Sequence, residues 1–101
     1  MEKEITSDEL RAWTAAGKPF FLLDVRESHE REQWNIGGTW IPMDEVMANR
    51  NAIPTDIPVV VYCRKGVRSA IVIQRLTLRL GITNLYNLKG GISAWDEAEP
   101  A

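Results

Sequence analysis

The sequence has a single cysteine, Cys63, and a single histidine, His29, among its 101 residues. One cysteine excludes an internal disulfide framework and a metal cage built only of thiolates. His29 lies in the polar segment Arg26-Glu-Ser-His-Glu-Arg31, which is typical of a solvated helix start. A cysteine–histidine hydrolase is therefore disfavoured. The unpaired thiol indicates a reducing compartment, and we expect a cytoplasmic protein.

The chain also lacks a long apolar run. No stretch approaches the roughly 18 consecutive apolar residues that a membrane helix requires. The charged start Met1-Glu-Lys-Glu4 is unlike a secretory signal. A net charge of −2 makes nucleic acid a poor default partner. We expect one domain over residues 1–101 that binds neither membranes nor nucleic acid.

One region of the chain contains no acidic residue. Between Ile57 and Trp95 there are no Asp or Glu side chains but six bases, which give this stretch a charge of +6. The bases are Arg64, Lys65, Arg68, Arg75, Arg79 and Lys89. All 14 acids and the other six bases lie elsewhere and sum to −8. Such a basic segment in an acidic protein indicates a local anion site.

Short apolar segments separated by turn residues predict alternating strands and helices. Pro58-Val-Val-Val-Tyr62 and Phe20-Phe-Leu-Leu-Asp-Val25 are continuous and apolar, which is typical of strands covered on both faces. Thr6-Ser-Asp-Glu9 matches a capping box and predicts a helix over 7–16. The other predicted elements are helices over 28–34, 43–49 and 70–80 (with Ser69 as N-cap), strands over 39–41 and 84–88, and a last short helix containing Trp95. This alternation indicates a layered α/β fold with a mainly parallel sheet.

The cysteine lies where ligands bind in such a fold. Cys63 directly follows the strand over 58–62, and the carboxyl ends of parallel strands lead into helix N-termini. The helix N-terminus, inward-pointing loop amides and the three cations among residues 64–68 all favour a thiolate. Gly66 permits the tight turn of a short loop. We expect an anionic, accessible and nucleophilic Cys63; the alternative is a buried cysteine that acts as a small hydrophobe.

Four segments of the chain resemble, in the correct order, the single-domain rhodanese-type sulfurtransferases. Val59-Val-Val-Tyr-Cys63-Arg-Lys-Gly-Val-Arg-Ser69 resembles the active-site segment of that family. Leu22-Leu-Asp-Val-Arg-Glu27 resembles its Asp-Val-Arg signature. Two further matches are Gly38 with Ile41-Pro42, and the C-terminal Leu88-Lys-Gly-Gly-Ile-Ser-Ala-Trp95. The resemblance implies a rhodanese-like three-layer α/β fold, with a mainly parallel five-stranded sheet and helices on both faces.

The resemblance also implies a mechanism and a set of site residues. The Cys63 thiolate would take the sulfane sulfur of an anionic donor such as thiosulfate, forming a persulfide. It would pass this sulfur to cyanide or to a thiol, a thioredoxin-like protein being one candidate acceptor, without a metal or other cofactor. Asp24 and Arg26 are expected to be structural residues near the site. The expected substrate-binding residues are Arg64, Lys65, Gly66, Val67, Arg68 and Ser69.

The chain departs from the family pattern outside the cysteine loop. Asn35-Ile-Gly-Gly-Thr39 stands where His-Ile-Pro-Gly-Ala is common, and Arg31 stands where an aromatic residue is common. Glu30 and Glu32 are predicted to be surface acids. We expect the tryptophans to serve as core and rim packing instead of a binding platform. Trp34 and Trp40 flank the Gly-Gly pair, and one hypothesis is that this Gly-Gly loop lines the pocket.

Two other functions remain open at this level. The first is a non-catalytic binding module on the same fold, which would leave Cys63 unreactive. The second is a cysteine phosphatase or arsenate reductase, whose loop needs the spacing Cys-x5-Arg so that the arginine clamps a tetrahedral anion. That spacing would place an arginine at position 69, where this chain has Ser69.

Overall fold

Five parallel strands form the central sheet of the protein, for which a computed structural model describes residues 3–98. The strands are β1 (Glu4–Ile5), β2 (Phe21–Asp24), β3 (Thr39–Trp40), β4 (Val59–Tyr62) and β5 (Leu85–Leu88). Their spatial order is β1-β5-β4-β2-β3, and each of the described pairings is parallel. The predicted parallel sheet is confirmed.

Helices cover both faces of this sheet. They are α1 (Ser7–Ala15), α2 (Ser28–Gln33), α3 (Val67–Leu80) and α4 (Gly91–Ala98), with 3-10 turns at Met43–Glu45 and Arg50–Ala52. Leu10 of α1 and Ile92 of α4 pack with Val60 and Tyr62 on one face. Leu76 of α3 packs on the other face, against the alternate β4 residues. The three-layer α/β fold expected from the sequence is confirmed.

Strand β4 is the centre of the core. All four of its residues are buried, because it lies between β5 and β2 and is covered by helices on both faces. Full burial of a valine side chain contributes about 1.5–3 kcal/mol. The chain leaves this rigid strand at Cys63, so the position of the cysteine backbone is fixed by the best-packed element of the protein.

The prediction for the start of α3 is wrong. The helix begins at Val67 and its N-cap is Gly66, in a left-handed conformation with φ of +100°, instead of beginning after Ser69. A left-handed residue turns the chain sharply and only glycine adopts it at low cost. Ser69 lies within the first turn and is buried, and its hydroxyl contacts side chains rather than capping the helix.

Two other elements differ from the predictions. The helix predicted over 43–49 is only the 3-10 turn Met43–Glu45, followed by turns. Strand β1 was not predicted, because two residues are too short to show a period. By contrast, the capping box at the start of α1 is confirmed, with the Thr6 hydroxyl accepting from Glu9 N and the Glu9 carboxylate accepting from Thr6 N. Among residues 3–98, no helix combines the length and hydropathy that crossing a membrane requires.

Candidate active site

Cys63 is buried under the loop that follows β4, and only 1% of the residue is exposed. The expectation of an accessible cysteine is therefore wrong. Its Sγ accepts hydrogen bonds from the backbone N–H of Gly66 at 3.1 Å and of Ser69 at 3.4 Å. The Ser69 hydroxyl lies 3.3 Å from the same sulfur. Residues 63–69, called the sulfur loop below, thus direct polar groups at one atom.

The N-terminus of α4 holds the outer side of the sulfur loop. The N–H of Ile92 donates to Cys63 O at 2.9 Å, and the N–H of Ser93 donates to Arg64 O at 3.0 Å. Gly91 allows this approach, because a Cβ at this position would overlap both of those carbonyl groups. A glycine at position 91 is therefore required by a close backbone contact.

Asn87 is a residue of this site that the sequence analysis missed. It lies in β5, is 3% exposed, and its Nδ2 donates to Gly66 O at 3.0 Å. Its Oδ1 accepts from the Ser69 hydroxyl at 2.6 Å. The available signal was a polar side chain at an inward position of an otherwise apolar strand, where a buried polar group needs partners.

The cations of the sulfur loop fall into two classes. Arg64 and Lys65 are exposed, and neither side chain forms an ion pair or hydrogen bond within the described part of the chain. Arg68 instead forms a double contact with the Glu30 carboxylate of α2, at 2.6 and 2.9 Å. Among the described residues, two of these cations are unpaired and can meet an anion, and the third is neutralised by Glu30.

The prediction of Glu30 as a surface acid is wrong. Its side chain is 16% exposed, and its hydrogen bonds to Arg68 lower the pKa of Glu30 from 4.5 to about 2. The same contact raises the pKa of Arg68. The pairing of Glu30 with Arg68 was hard to predict from the sequence, because the two residues are 38 positions apart.

A second polar cluster, called the arginine corner below, consists of Asp24, Arg26 and Arg31. The buried Asp24 carboxylate accepts from Arg26 Nε at 3.0 Å and Nη2 at 2.9 Å, and lies 3.3 Å from Arg31 Nη1. Burial opposes the charge of Arg26, but Asp24 outweighs it and raises the pKa of Arg26. The arginine corner ties the end of β2 to its neighbours.

Arg31 holds the glycine segment that follows α2. Its guanidinium donates to Gly37 O at 3.1 Å and to Gly38 O at 3.0 Å. Arg31 thus binds the carbonyls of both glycines directly. Gly38 packs against the Leu22 backbone so closely that a Cβ would overlap it.

The two tryptophans beside this segment are partly exposed, Trp34 at 42% and Trp40 at 38%. The indole N–H of Trp40 donates to Arg26 O at 2.9 Å.

A cavity of about 630 Å³ lies away from the sulfur loop, between α3 and β5, with Ile73, Thr77 and Leu85 in its lining. None of the predicted site residues lines that cavity.

Comparison with known proteins gives the class of this fold and site. The model of the Rhodanese-like domain family matches residues 6–98. The chain belongs to the rhodanese-like domain family.

Three similar proteins illustrate this relationship. The chain is 40% identical over 94 residues to YqhL of Bacillus subtilis, covering 92% of this chain and 71% of YqhL. It is 35% identical to a sulfurtransferase of Allochromatium vinosum, covering 94% of this chain and 89% of that protein. The crystal structure of a rhodanese-like domain protein from Staphylococcus aureus superposes with a TM-score of 0.83 at 33% identity, covering 92% and 90% of the two chains.

Proposed function

We propose that the protein is a sulfurtransferase that carries a sulfane sulfur on Cys63 as a persulfide. The observation that carries the proposal is the pair of backbone N–H groups, from Gly66 and Ser69, that point at the Cys63 sulfur at the start of α3. Inward amides and a helix N-terminus favour a negative charge on that atom. The similarity to a sulfurtransferase of Allochromatium vinosum supports the same reaction class.

The reaction consists of two displacements at sulfur. The Cys63 thiolate attacks the sulfane sulfur of a donor such as thiosulfate, a new S–S bond forms, and the old S–S bond breaks. Sulfite leaves with the electron pair of the broken bond, and Cys63 becomes an anionic persulfide. A nucleophilic acceptor, cyanide or a thiolate, then attacks the outer sulfur and restores the Cys63 thiolate.

The free cations Arg64 and Lys65 attract the anionic donor and stabilise the departing sulfite. Arg68 has a different role, because the Glu30 carboxylate already neutralises it. We assign Arg68 to holding the sulfur loop against α2. Replacing Arg64 or Lys65 with alanine should raise the KM for thiosulfate by up to about fivefold, as for an exposed charge contact. Alkylation of Cys63 should persist in both variants.

The burial of Cys63 adds a requirement to this mechanism. Cys63 is 1% exposed, so an anionic donor reaches its sulfur only when the site around it opens. The same burial favours the alternative of a non-catalytic binding module, in which Cys63 would be inert toward both iodoacetamide and sulfur donors.

The experiment that tests the proposal is the formation of thiocyanate from thiosulfate and cyanide. Reciprocal plots at several cyanide concentrations should be parallel, as for a covalent two-step mechanism. Cys63→Ser should remove the activity while retaining the fold, because the two side chains are close in size. Activity in folded Cys63→Ser protein, or none in the unaltered protein with any donor or thiol acceptor, would contradict the proposal. Phosphomonoester hydrolysis in its place would favour a cysteine phosphatase.

A further inference from the structure

The side chain of Asn87 joins the two residues whose polar groups face the Cys63 sulfur. Asn87 is paired with Val61 in the sheet, and Cys63 follows Val61 by two residues on the same strand path. Because side chains alternate along strands, Asn87 and Cys63 face the same side of the sheet, the side covered by α3. The Asn87 backbone is held within the sheet by the neighbouring β1 segment, because its N–H donates to Lys3 O at 2.9 Å.

The first contact of Asn87 fixes the direction of a hydrogen-bond donor. Its Nδ2 holds Gly66 O at 3.0 Å, while Gly66 N–H donates to the sulfur at 3.1 Å. Gly66 has φ of +100° and ψ of −1°, in a residue type whose backbone rotates easily. The N–H and the O of Gly66 belong to the two peptide groups that meet at its Cα. Holding the carbonyl limits rotation about φ and ψ of Gly66, and this restrains the N–H that faces the sulfur.

The second contact concerns the single proton of the Ser69 hydroxyl. Ser69 Oγ donates to Asn87 Oδ1 at 2.6 Å, and it lies 3.3 Å from the sulfur. While that proton faces Asn87, the hydroxyl can only accept from the sulfur, and this fits a protonated thiol. A thiolate has no proton to donate, so it is stabilised when the hydroxyl proton turns toward it. Asn87 and the sulfur therefore compete for one proton.

We propose that Asn87 is a positioning residue that sets the ionisation of Cys63 through two opposed contacts. By fixing Gly66 N–H on the sulfur it favours the thiolate, and by holding the Ser69 proton it favours the thiol. The inference deepens the proposed function and rests on Cys63 being the reacting group. Its test measures only the ionisation of the thiol. The role of Asn87 can therefore be refuted while sulfur transfer is observed, and sulfur transfer can be absent while the role of Asn87 is supported.

The charged groups around the sulfur loop stay constant in the test. Within residues 3–98 they include Arg64 and Lys65 on the sulfur loop, Arg68 at the start of α3, Glu30 on α2, and Asp24, Arg26 and Arg31 of the arginine corner. Arg68 is close enough to sense the Cys63 charge. Because none of these residues is altered, a difference between the variants below reports on Asn87 and Ser69.

The test is a double-mutant cycle. Its readout is the pH at which half of Cys63 is ionised, measured from the ultraviolet absorbance of the thiolate. Asn87→Leu is introduced into the unaltered protein and into Ser69→Ala. In the Ser69→Ala background Asn87→Leu removes the Gly66 contact without releasing a serine hydroxyl, and the half-ionisation pH should rise by about one unit, a tenfold change. In the unaltered background the rise should be smaller, because the released hydroxyl turns to the sulfur. Equal shifts in both backgrounds, or no rise in Ser69→Ala, would overturn the proposal.

Asn84→Leu is the matched control for these variants. Asn84 precedes β5 and likewise holds two backbone carbonyls, Pro54 O at 2.9 Å and Ile57 O at 2.6 Å, at the opposite end of the sheet. Its replacement should reduce stability without moving the Cys63 ionisation. A shift as large as that of Asn87→Leu would show that general loosening causes the effect, and would overturn the proposal.

A second measurement needs no substitution in the network and is independent of whether the variants fold. The side-chain amide resonances of Asn87 are followed by NMR while Cys63 is titrated. They should shift with the midpoint of the Cys63 ionisation, because the Ser69 hydroxyl changes its partner. The side-chain amide of Asn84 should stay constant. Asn87 resonances that remain fixed through the Cys63 ionisation would contradict the competition for the Ser69 proton.

Discussion

The sulfur loop and the arginine corner lie at the same carboxyl edge of the sheet, and both bury polar groups, but with different chemistry. In the arginine corner, the buried Asp24 carboxylate meets two guanidinium groups, so its negative charge is fully compensated by side chains of the fold. In the sulfur loop, neutral dipoles of Gly66 and Ser69 face a single sulfur, while the cations Arg64 and Lys65 stay exposed. The carboxylate of the arginine corner is already paired, whereas the sulfur loop presents two exposed cations to an incoming anion.

This difference separates structural from chemical use of buried polar groups. A paired buried charge is costly to break, because removing one partner strands the other in a low dielectric. Fixed dipoles can instead favour a charge that appears only in one state of the group they face. Damage to the arginine corner should therefore appear mainly in stability, and damage to the sulfur loop mainly in reactivity.

The largest effect should come from Asp24→Asn, which leaves the buried Arg26 without its carboxylate. We expect the free energy of unfolding in urea to fall by about 3–5 kcal/mol, as for a broken buried ion pair. Sulfur transfer per folded molecule should change far less than stability. The control is Asp8→Asn, since the Asp8 side chain is 93% exposed and lies 4.0 Å from Arg11. Equal losses in the two variants would contradict the structural role of the corner.

The reverse pattern is expected for Gly91→Ala. Gly91 has φ of +62° and a new Cβ would overlap Arg64 O, which should displace the sulfur loop. Gly81→Ala is the matched control, with φ of +67° and no atom within 4 Å of the new Cβ. Both variants should lose about 1–2 kcal/mol from the left-handed backbone. Gly91→Ala alone should also slow sulfur transfer, by about a hundredfold. Equal rates in the two variants would contradict the account.

The smallest effect should come from Glu30, which connects the two regions. Its carboxylate binds Arg68 of the sulfur loop, and its backbone O accepts from Arg26 Nη1 at 3.4 Å. Because contact with Arg68 lowers the pKa of Glu30 from 4.5 to about 2, the pair stabilises the fold fully above pH 4.5. That contribution is lost as the pH falls toward 2.

Glu30→Gln should therefore lower the free energy of unfolding by about 1 kcal/mol at neutral pH. It should also make the loss of stability between about pH 5 and pH 2 smaller than in the unaltered protein. The measurement is urea unfolding across this range. Glu32→Gln, on the exposed face of the same helix, should keep the original pH dependence. An unchanged dependence in Glu30→Gln would contradict the role of the pair.

The fold was predictable to the extent that short-range patterns determine it. β4 was predicted from three consecutive valines, α1 from its capping box, and the parallel sheet from the alternation of elements. The start of α3 was not, because Ser69 is a good N-cap in isolation and only the three-dimensional contacts bring its hydroxyl to Asn87. The local preference of serine for the N-cap position was overridden by its buried tertiary hydrogen bond to Asn87.

The sequence was enough to predict the cysteine and the cations of the site, but not the residues from other elements that contact them. Cys63 and the cations that follow it are adjacent in sequence, so their charge pattern is visible there. Glu30 and Asn87 reach the site from other elements, at separations of 38 and 18 residues from their partners Arg68 and Ser69. The burial of Cys63 likewise depends on its packing with residues of α3 that are distant in sequence, and no local pattern encodes it.

The most direct measurement of the central claim is the intact mass of the protein after treatment with thiosulfate. The account predicts one added sulfur, about 32 Da, on a peptide containing Cys63, as for a persulfide. Cyanide should remove it, and Cys63→Ser protein should never acquire it. A folded, reduced protein that gains no sulfur from thiosulfate or from other sulfane donors would contradict the claim that the sulfur loop holds a reactive thiolate.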